Sequence, residues 1–94
     1  MNKQIQSIKI MKALADSTRL SLVLFVARQN EPVASCDIVQ SCARRLELSQ
    51  PAMSHHFRKL VDANVLQVRK SGTENFYQVN RALLEKHGID ISKL

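Results

Sequence analysis

The sequence predicts a mostly α-helical domain carrying one small β-hairpin, and three observations predict it. Only two glycines and two prolines occur in 94 residues, too few turn residues for a sandwich or barrel. Apolar residues recur at helical spacing over most of the chain, from Ile5 to Val61. Strict alternation is confined to "VLQVRKSGTENFYQV", where it surrounds a glycine turn. With 45% hydrophobic residues and no repeat or linker, residues 1–94 read as one globular domain.

The first helix places Ile5, Ile8 and Met11 on one stripe, with Ile10 and Leu14 on a second. Two apolar stripes give it two core-facing sides, one for its own domain and one for a partner subunit. In "ADSTRLSLVLFVARQNEPV", Asp16 or Ser17 can cap a second helix. Leu20, Val23, Leu24 and Ala27 then share a stripe, while Leu22, Phe25 and Val26 fill other sides. A strand is the competing reading of this run, but the cap and the lack of alternation favour a central helix. Asn30 and Pro32 end it.

"PVASC" reads as short and extended, with Ser35 the cap of a third helix over Cys36 to Leu46 and Asp37 in its first turn. Ser49 followed by Pro51 is a strong helix start. From there Met53, Phe57, Leu60 and Val61 form one apolar face. At about 100° per residue, Ser54, His55, Arg58 and Lys59 point away from it. Asn64 can end this helix in a left-handed conformation. The hairpin follows, with Leu66 and Val68 on one strand, Tyr77 and Val79 on the other, and a basic tip bearing Arg69, Lys70 and Gly72. A last short helix, Arg81 to His87, stops at Gly88, and "GIDISKL" reads as a tail.

Helix, helix, turn, capped helix and basic hairpin is the order of a winged helix-turn-helix. About five helices and a β-hairpin are expected. Residues 49–64 form the recognition helix and 65–80 the wing. Residues 1–15 and 81–94 are candidate dimerisation elements.

Charge narrows the function. Fourteen Lys+Arg against eight Asp+Glu give +6, which suits a polyanionic partner such as double-stranded DNA. The bland alternative is a merely soluble basic protein. No apolar run approaches the ~20 residues of a membrane span, and the start has no signal-peptide pattern. Two cysteines without a secretion signal are expected to stay thiols in the cytoplasm. An enzyme is not expected. There is no Gly-rich phosphate loop, no paired carboxylates and no nucleophile with a base and orienter, and no cofactor is implied.

"ALADSTRL", "LSQPAMSHHFRKLVDANVL" and "FYQV" together resemble the ArsR family of winged-helix repressors, from about Met11 to Val79. The family pattern runs Ala-Leu-Ala-Asp-Pro-Thr-Arg, then Leu-Ser-Gln-Pro-x-x-Ser-x-His-Leu, then a wing ending in tyrosines. Here Ser17 stands in place of the proline, Phe57 of the leucine and Asn64 of a glycine. The resemblance implies a homodimer paired through its first and last helices, each recognition helix entering half of a palindrome-like operator. It also implies repression relieved by an inducer, whose identity the sequence leaves open. Between Cys36 and Ser49 the chain is about four residues longer than that pattern, room for a helical turn carrying Arg44 and Arg45.

Ser49, Gln50, Ser54 and His55 are the candidate base or backbone readers. Arg58 and Lys59 are candidates for phosphates. Arg69, Lys70, Thr73 and Asn75 are placed to reach a neighbouring minor groove or phosphates, or simply to stay solvated. His56 lies about 100° from His55, near the border of the apolar face, so it is expected half-buried and hydrogen-bonded. Adjacent helical histidines diverge too far to chelate one ion, and no metal is assigned to them. The family's Cys-x-Cys-Asp thiol run appears here as "ASCD", with Ala34 in the first position and only Cys36 remaining. Cys42 points to another side of the helix and fits the apolar stripe, so a core role is expected. Thiolate character for Cys36 at a helix start would leave the pair Cys36 and Cys42 as a possible sensor. The family's other metal site has only Glu85 and His87 on this last helix, two apart, and reads as absent. The class-different alternative is a winged helix that binds protein rather than specific DNA.

Overall fold

A computed structural model describes residues 2–94, so Met1 of the 1–15 segment lies outside the described residues. Helix α1 (Lys3–Leu14) is capped by Asn2, whose side chain accepts the Ile5 amide. Helix α2 (Ser17–Ala27) takes its cap from Asp16, which accepts the Arg19 amide at 3.0 Å. Strand β1 (Val33–Ala34) leads into α3 (Ser35–Leu46), and α4 (Gln50–Asp62) follows a short turn. Strands β2 (Leu66–Ser71) and β3 (Glu74–Val79) form the wing, and α5 (Arg81–Lys86) and a 3-10 turn (Ile91–Lys93) complete the described chain.

The sheet has three strands in the order β1-β3-β2, all antiparallel. The hairpin register pairs Leu66 with Val79 and Val68 with Tyr77. Two residues, Gly72 and Thr73, close it, with Gly72 at φ +64°. A glycine at the first central position with positive φ is the requirement of a type II′ turn. The segment read as merely extended, Val33–Ala34, is recruited as a third strand beside β3.

The core collects one or more fully buried side chains from every helix and the sheet: Ile10, Leu22, Ile38, Met53, Leu60, Leu66 and Leu84. Each contributes about 1.5–3 kcal/mol of burial free energy. On α4 the predicted apolar face is the buried one, with Met53, Phe57 and Leu60 inside and Val61 half-buried. The Phe57 ring stacks on Tyr77 of β3, with centroids 4.6 Å apart and planes 13° apart. Such a pair adds about 0.5–1.5 kcal/mol beyond burial, and here it seats α4 on the wing.

Three helices end alike. In α4, the Asn64 amide donates to Val61 and the Val65 amide to Leu60. Asn64 sits at φ +62°, and Val65 and Leu60 are both fully buried. That is a Schellman ending with its apolar clasp, and it fits the left-handed asparagine expected here. Gly88 plays the same part after α5, at φ +80°. After α3 the part falls to Glu47, at φ 54°, an unfavourable conformation for a side chain with a Cβ.

Three expectations are corrected. Ser35 does not cap α3: it is the first helical residue, Ala34 occupies the cap position, and no cap side chain bonds there. The carboxylate of Glu74, on the wing, instead accepts from Ser35 Oγ at 3.1 Å and from the Cys36 amide at 3.4 Å. A partner 38 residues from Cys36 cannot be read from local pattern. Secondly, "GIDISKL" is not a free tail, because its 3-10 turn buries Ile91 to 4% exposure against the core. Thirdly, α5 ends one residue early, at Lys86, with His87 as its C-cap.

Candidate nucleic-acid interface

Helix α4 begins where Ser49 Oγ accepts the Ala52 amide at 3.3 Å, with Pro51 in the first turn. The cap satisfies one of the orphan amides of the first turn. Its outward face exposes Gln50, Ser54, His55, Arg58 and Lys59. On the wing, Arg69, Lys70 and Thr73 are exposed and Asn75 is half-buried.

The ten candidate residues do not form one patch. Gln50, Ser54 and Arg58, four apart on α4, line a groove together with Lys70 and Asn75 of the wing. The start of α3 supplies the third wall, through Cys36, Val39 and Gln40. Lys59 stands apart, in a shallow hollow beside Lys9, Lys12 and Arg19. Gln40 was missed by the sequence reading; its signal was the four-residue spacing from Cys36, which puts both on one face of α3.

His55 is exposed, and its ring meets His56 edge-on at 5.9 Å. His56 is half-buried, and its Nδ1 lies 3.3 Å from Arg19 Nη1. Burial holds the His56 pKa below its ordinary value, the charges of Arg19, His55 and Lys59 push the same way, and Asp16 opposes them. The neutral imidazole therefore accepts from Arg19. That agrees with the expected separation of the two histidines into an outward group and a structural one.

Arg19 is the hub of this corner. Its Nε donates to the Ala13 carbonyl at 2.7 Å, Nη2 reaches the Lys12 carbonyl at 3.4 Å, and Asp16 lies 3.8 Å from Nη1. The last turn of α1 leaves carbonyls without helical partners, and Arg19 covers two of them while touching α4. The Arg19 amide, donating to Asp16, is the first reason the Asp16 carboxyl titrates below its usual range.

The cysteines are free thiols, Cys36 exposed and Cys42 fully buried. The thiolate character expected of Cys36 is not found. Desolvation and the carboxylates of Glu74 and Asp37 push its pKa up, with the Asp37 backbone amide opposing. Burial pushes the Cys42 thiol up as well, with Arg45 opposing. Among the described residues, no group of three or more His, Cys, Asp or Glu is placed to hold a metal ion. Nor is any described helix long and apolar enough to cross a membrane.

Known proteins share this sequence pattern and fold. The bacterial regulatory protein, ArsR family, profile matches residues 16–68. An arsenical resistance operon repressor of Staphylococcus aureus is 34% identical over 76 residues, covering 81% of this chain and 67% of that protein. An uncharacterised HTH-type transcriptional regulator of Methanocaldococcus jannaschii is 35% identical over 79 residues, covering 84% of this chain and 83% of that one. Among solved structures, an ArsR-like transcriptional regulator from Rhodococcus superposes with a TM-score of 0.74 at 24% identity, covering 94% of this chain and 77% of that one. HlyU from Vibrio cholerae superposes at 0.68, also 24% identical, covering 94% and 91%. The relatives are regulators of transcription rather than enzymes. With more than half its length matched, the chain belongs to the ArsR family of bacterial regulatory proteins.

Proposed function

We propose that the protein is a homodimeric, cytoplasmic repressor that binds a palindrome-like operator through α4 and the wing. The observation that carries this reading is the groove-side face of α4. Gln50, Ser54 and Arg58 stand exposed along it, Lys70 faces them from the wing, and the lining contains no carboxylate. Small polar groups let a helix backbone approach base edges, and an arginine can pair bidentately with guanine or grip a phosphate. Ser49 sets the helix start, and His55 is the outward reader beside them. Arg69, Lys70, Thr73 and Asn75 serve the adjoining backbone or minor groove, and Lys59 takes a phosphate on the α1 side. Pairing of subunits rests on α1, where Ile5, Ile8 and Met11 are 43–53% exposed as one apolar stripe. A stripe of that kind on a polar helix is a candidate for burial against a second copy.

The test is selection of bound fragments from genomic DNA by the purified protein, followed by titration of the selected duplex across salt. Binding is expected to weaken steeply with salt, because each neutralised phosphate releases counterions at a slope of about −0.9. Replacing His55 by Ala is expected to weaken or relax site choice while the fold is kept. A salt-insensitive interaction, or none with any duplex, would overturn the reading.

A further inference from the structure

Strand β2 alternates so that Leu66, Val68 and Lys70 share one side of the sheet. Leu66 is 1% exposed, yet Val68, two residues on, is 44% exposed although its cross-strand partner Tyr77 is 7% exposed. The core-facing side of the wing therefore parts from α4 beyond Tyr77 and leaves apolar surface uncovered. What opens there is a groove of about 800 Å³ with walls from α3, α4 and the wing. Drug-sized ligands occupy clefts of roughly 300–1,000 Å³.

The lining has an uneven chemistry. Its apolar side chains include Val39, Val61 and Val68, over a floor of Met53, Phe57 and Tyr77. Its charged side chains are two cations, Arg58 and Lys70. The nearby carboxylate of Glu74 is turned onto Ser35 Oγ and the Cys36 amide. An apolar floor under two cations, with no carboxylate in the lining, complements a small molecule with an apolar body and one anionic group.

From this we infer that the groove between α3, α4 and the wing binds a small amphipathic organic anion, which competes directly with DNA. The inference rests on the DNA reading above, because Gln50, Ser54, Arg58 and Lys70 line the same groove. A ligand seated there masks Arg58 and Lys70 and fills the space beside the reading face. Such a ligand releases DNA by occupancy, with no change of fold required. The usual alternative, a shift between two global states, would need differential contacts in each state.

The test uses 1-anilinonaphthalene-8-sulfonate, an aromatic sulfonate whose fluorescence rises in apolar surroundings. Saturable binding at one site per chain is expected, displaced by unlabelled dodecanoate and by duplex DNA at low salt. Val68→Asp places a carboxylate in the groove at a residue already exposed, and it is expected to weaken probe binding at least tenfold. Val39→Trp, which fills the groove without adding charge, is expected to do the same; circular dichroism checks that both variants fold. Probe affinity unchanged in both folded variants would put the probe elsewhere, the α1 stripe included, and overturn the inference. So would simultaneous binding of probe and duplex. Duplex binding is read separately by anisotropy. A protein that binds duplex without losing the probe refutes this inference and leaves the DNA reading standing. One that binds the probe in the groove but no duplex refutes the DNA reading and the competition with it.

Discussion

Arg19 ties three helices together through one side chain that is 13% exposed, so Arg19→Ala is the substitution with the clearest expected consequence. The strongest of its bonds is Nε to the Ala13 carbonyl at 2.7 Å. A hydrogen bond from a charged donor contributes about 1.5–3 kcal/mol net, and its loss leaves the carbonyl at the end of α1 without a partner. The contacts to Lys12 O at 3.4 Å and His56 Nδ1 at 3.3 Å are long and partly solvated, worth about 0.5 kcal/mol each. Asp16 at 3.8 Å is an i, i+3 pair with its carboxylate 34% exposed, so little is added there, on the order of 0–0.5 kcal/mol. The loss comes to about 2.5–4.5 kcal/mol.

Urea unfolding followed by circular dichroism measures it. For a domain of this size the same loss lowers Tm by roughly 10–35 °C, at about 4–8 °C per kcal/mol. Combining Arg19→Ala with His56→Ala closes a double-mutant cycle, and a coupling on the order of 0.5 kcal/mol is expected across the α2–α4 contact. Destabilisation below about 1 kcal/mol would show that water replaces Arg19 at these carbonyls. Zero coupling would remove His56 from the network.

The other expectations concern single residues. The folded protein holds the His56 pKa below 6.5, so between that lowered value and 6.5 the unfolded chain binds more protons. Stability from this group is therefore fully present above about 6.5 and is lost as pH falls through the lowered value. Urea midpoints from pH 7.5 to 5 should drop more for the parent than for His56→Asn, and equal drops would refute the linkage. Glu47→Asn is expected to stabilise by about 0.5–1 kcal/mol, because asparagine tolerates the left-handed region and removes a negative charge from a helix C-terminus. A lower urea midpoint would mean that the Glu47 side chain contributes more than its strain costs. Ile91→Ala is expected to cost about 2–4 kcal/mol, since the side chain is buried. A cost under about 1 kcal/mol would show the C-terminal turn undocked.

What was legible in the sequence was the chemistry that is local. The Ser49 cap, Asp16 as one of two cap candidates for α2, the left-handed Asn64, the hairpin with its glycine turn and the apolar face of α4 each depend on residues a few positions apart. The same spacing put Ser54, His55, Arg58 and Lys59 on the outward side of α4. Periodicity could not say that this side closes a groove with Lys70 and Asn75, nor that Lys59, one position from Arg58, turns toward α1 instead. Both facts depend on the angle between helix and wing.

That angle is held by contacts with no local signature. Phe57 stacks on Tyr77, Glu74 of the wing holds the start of α3, and Arg19 holds α4 to the end of α1. Each looks ordinary in sequence: an aromatic in an apolar stripe, an acid near a hairpin tip, an arginine after a cap. Their common effect is to fix α4 from the wing side through Phe57 and from the α1 side through His56, adjacent residues on one helix. Loosening either contact would tilt the polar face of α4 relative to Lys70 without disturbing a single residue of that face. Substitutions at Arg19 and Tyr77 should therefore change which DNA is bound, and how tightly, before they change any group that touches it.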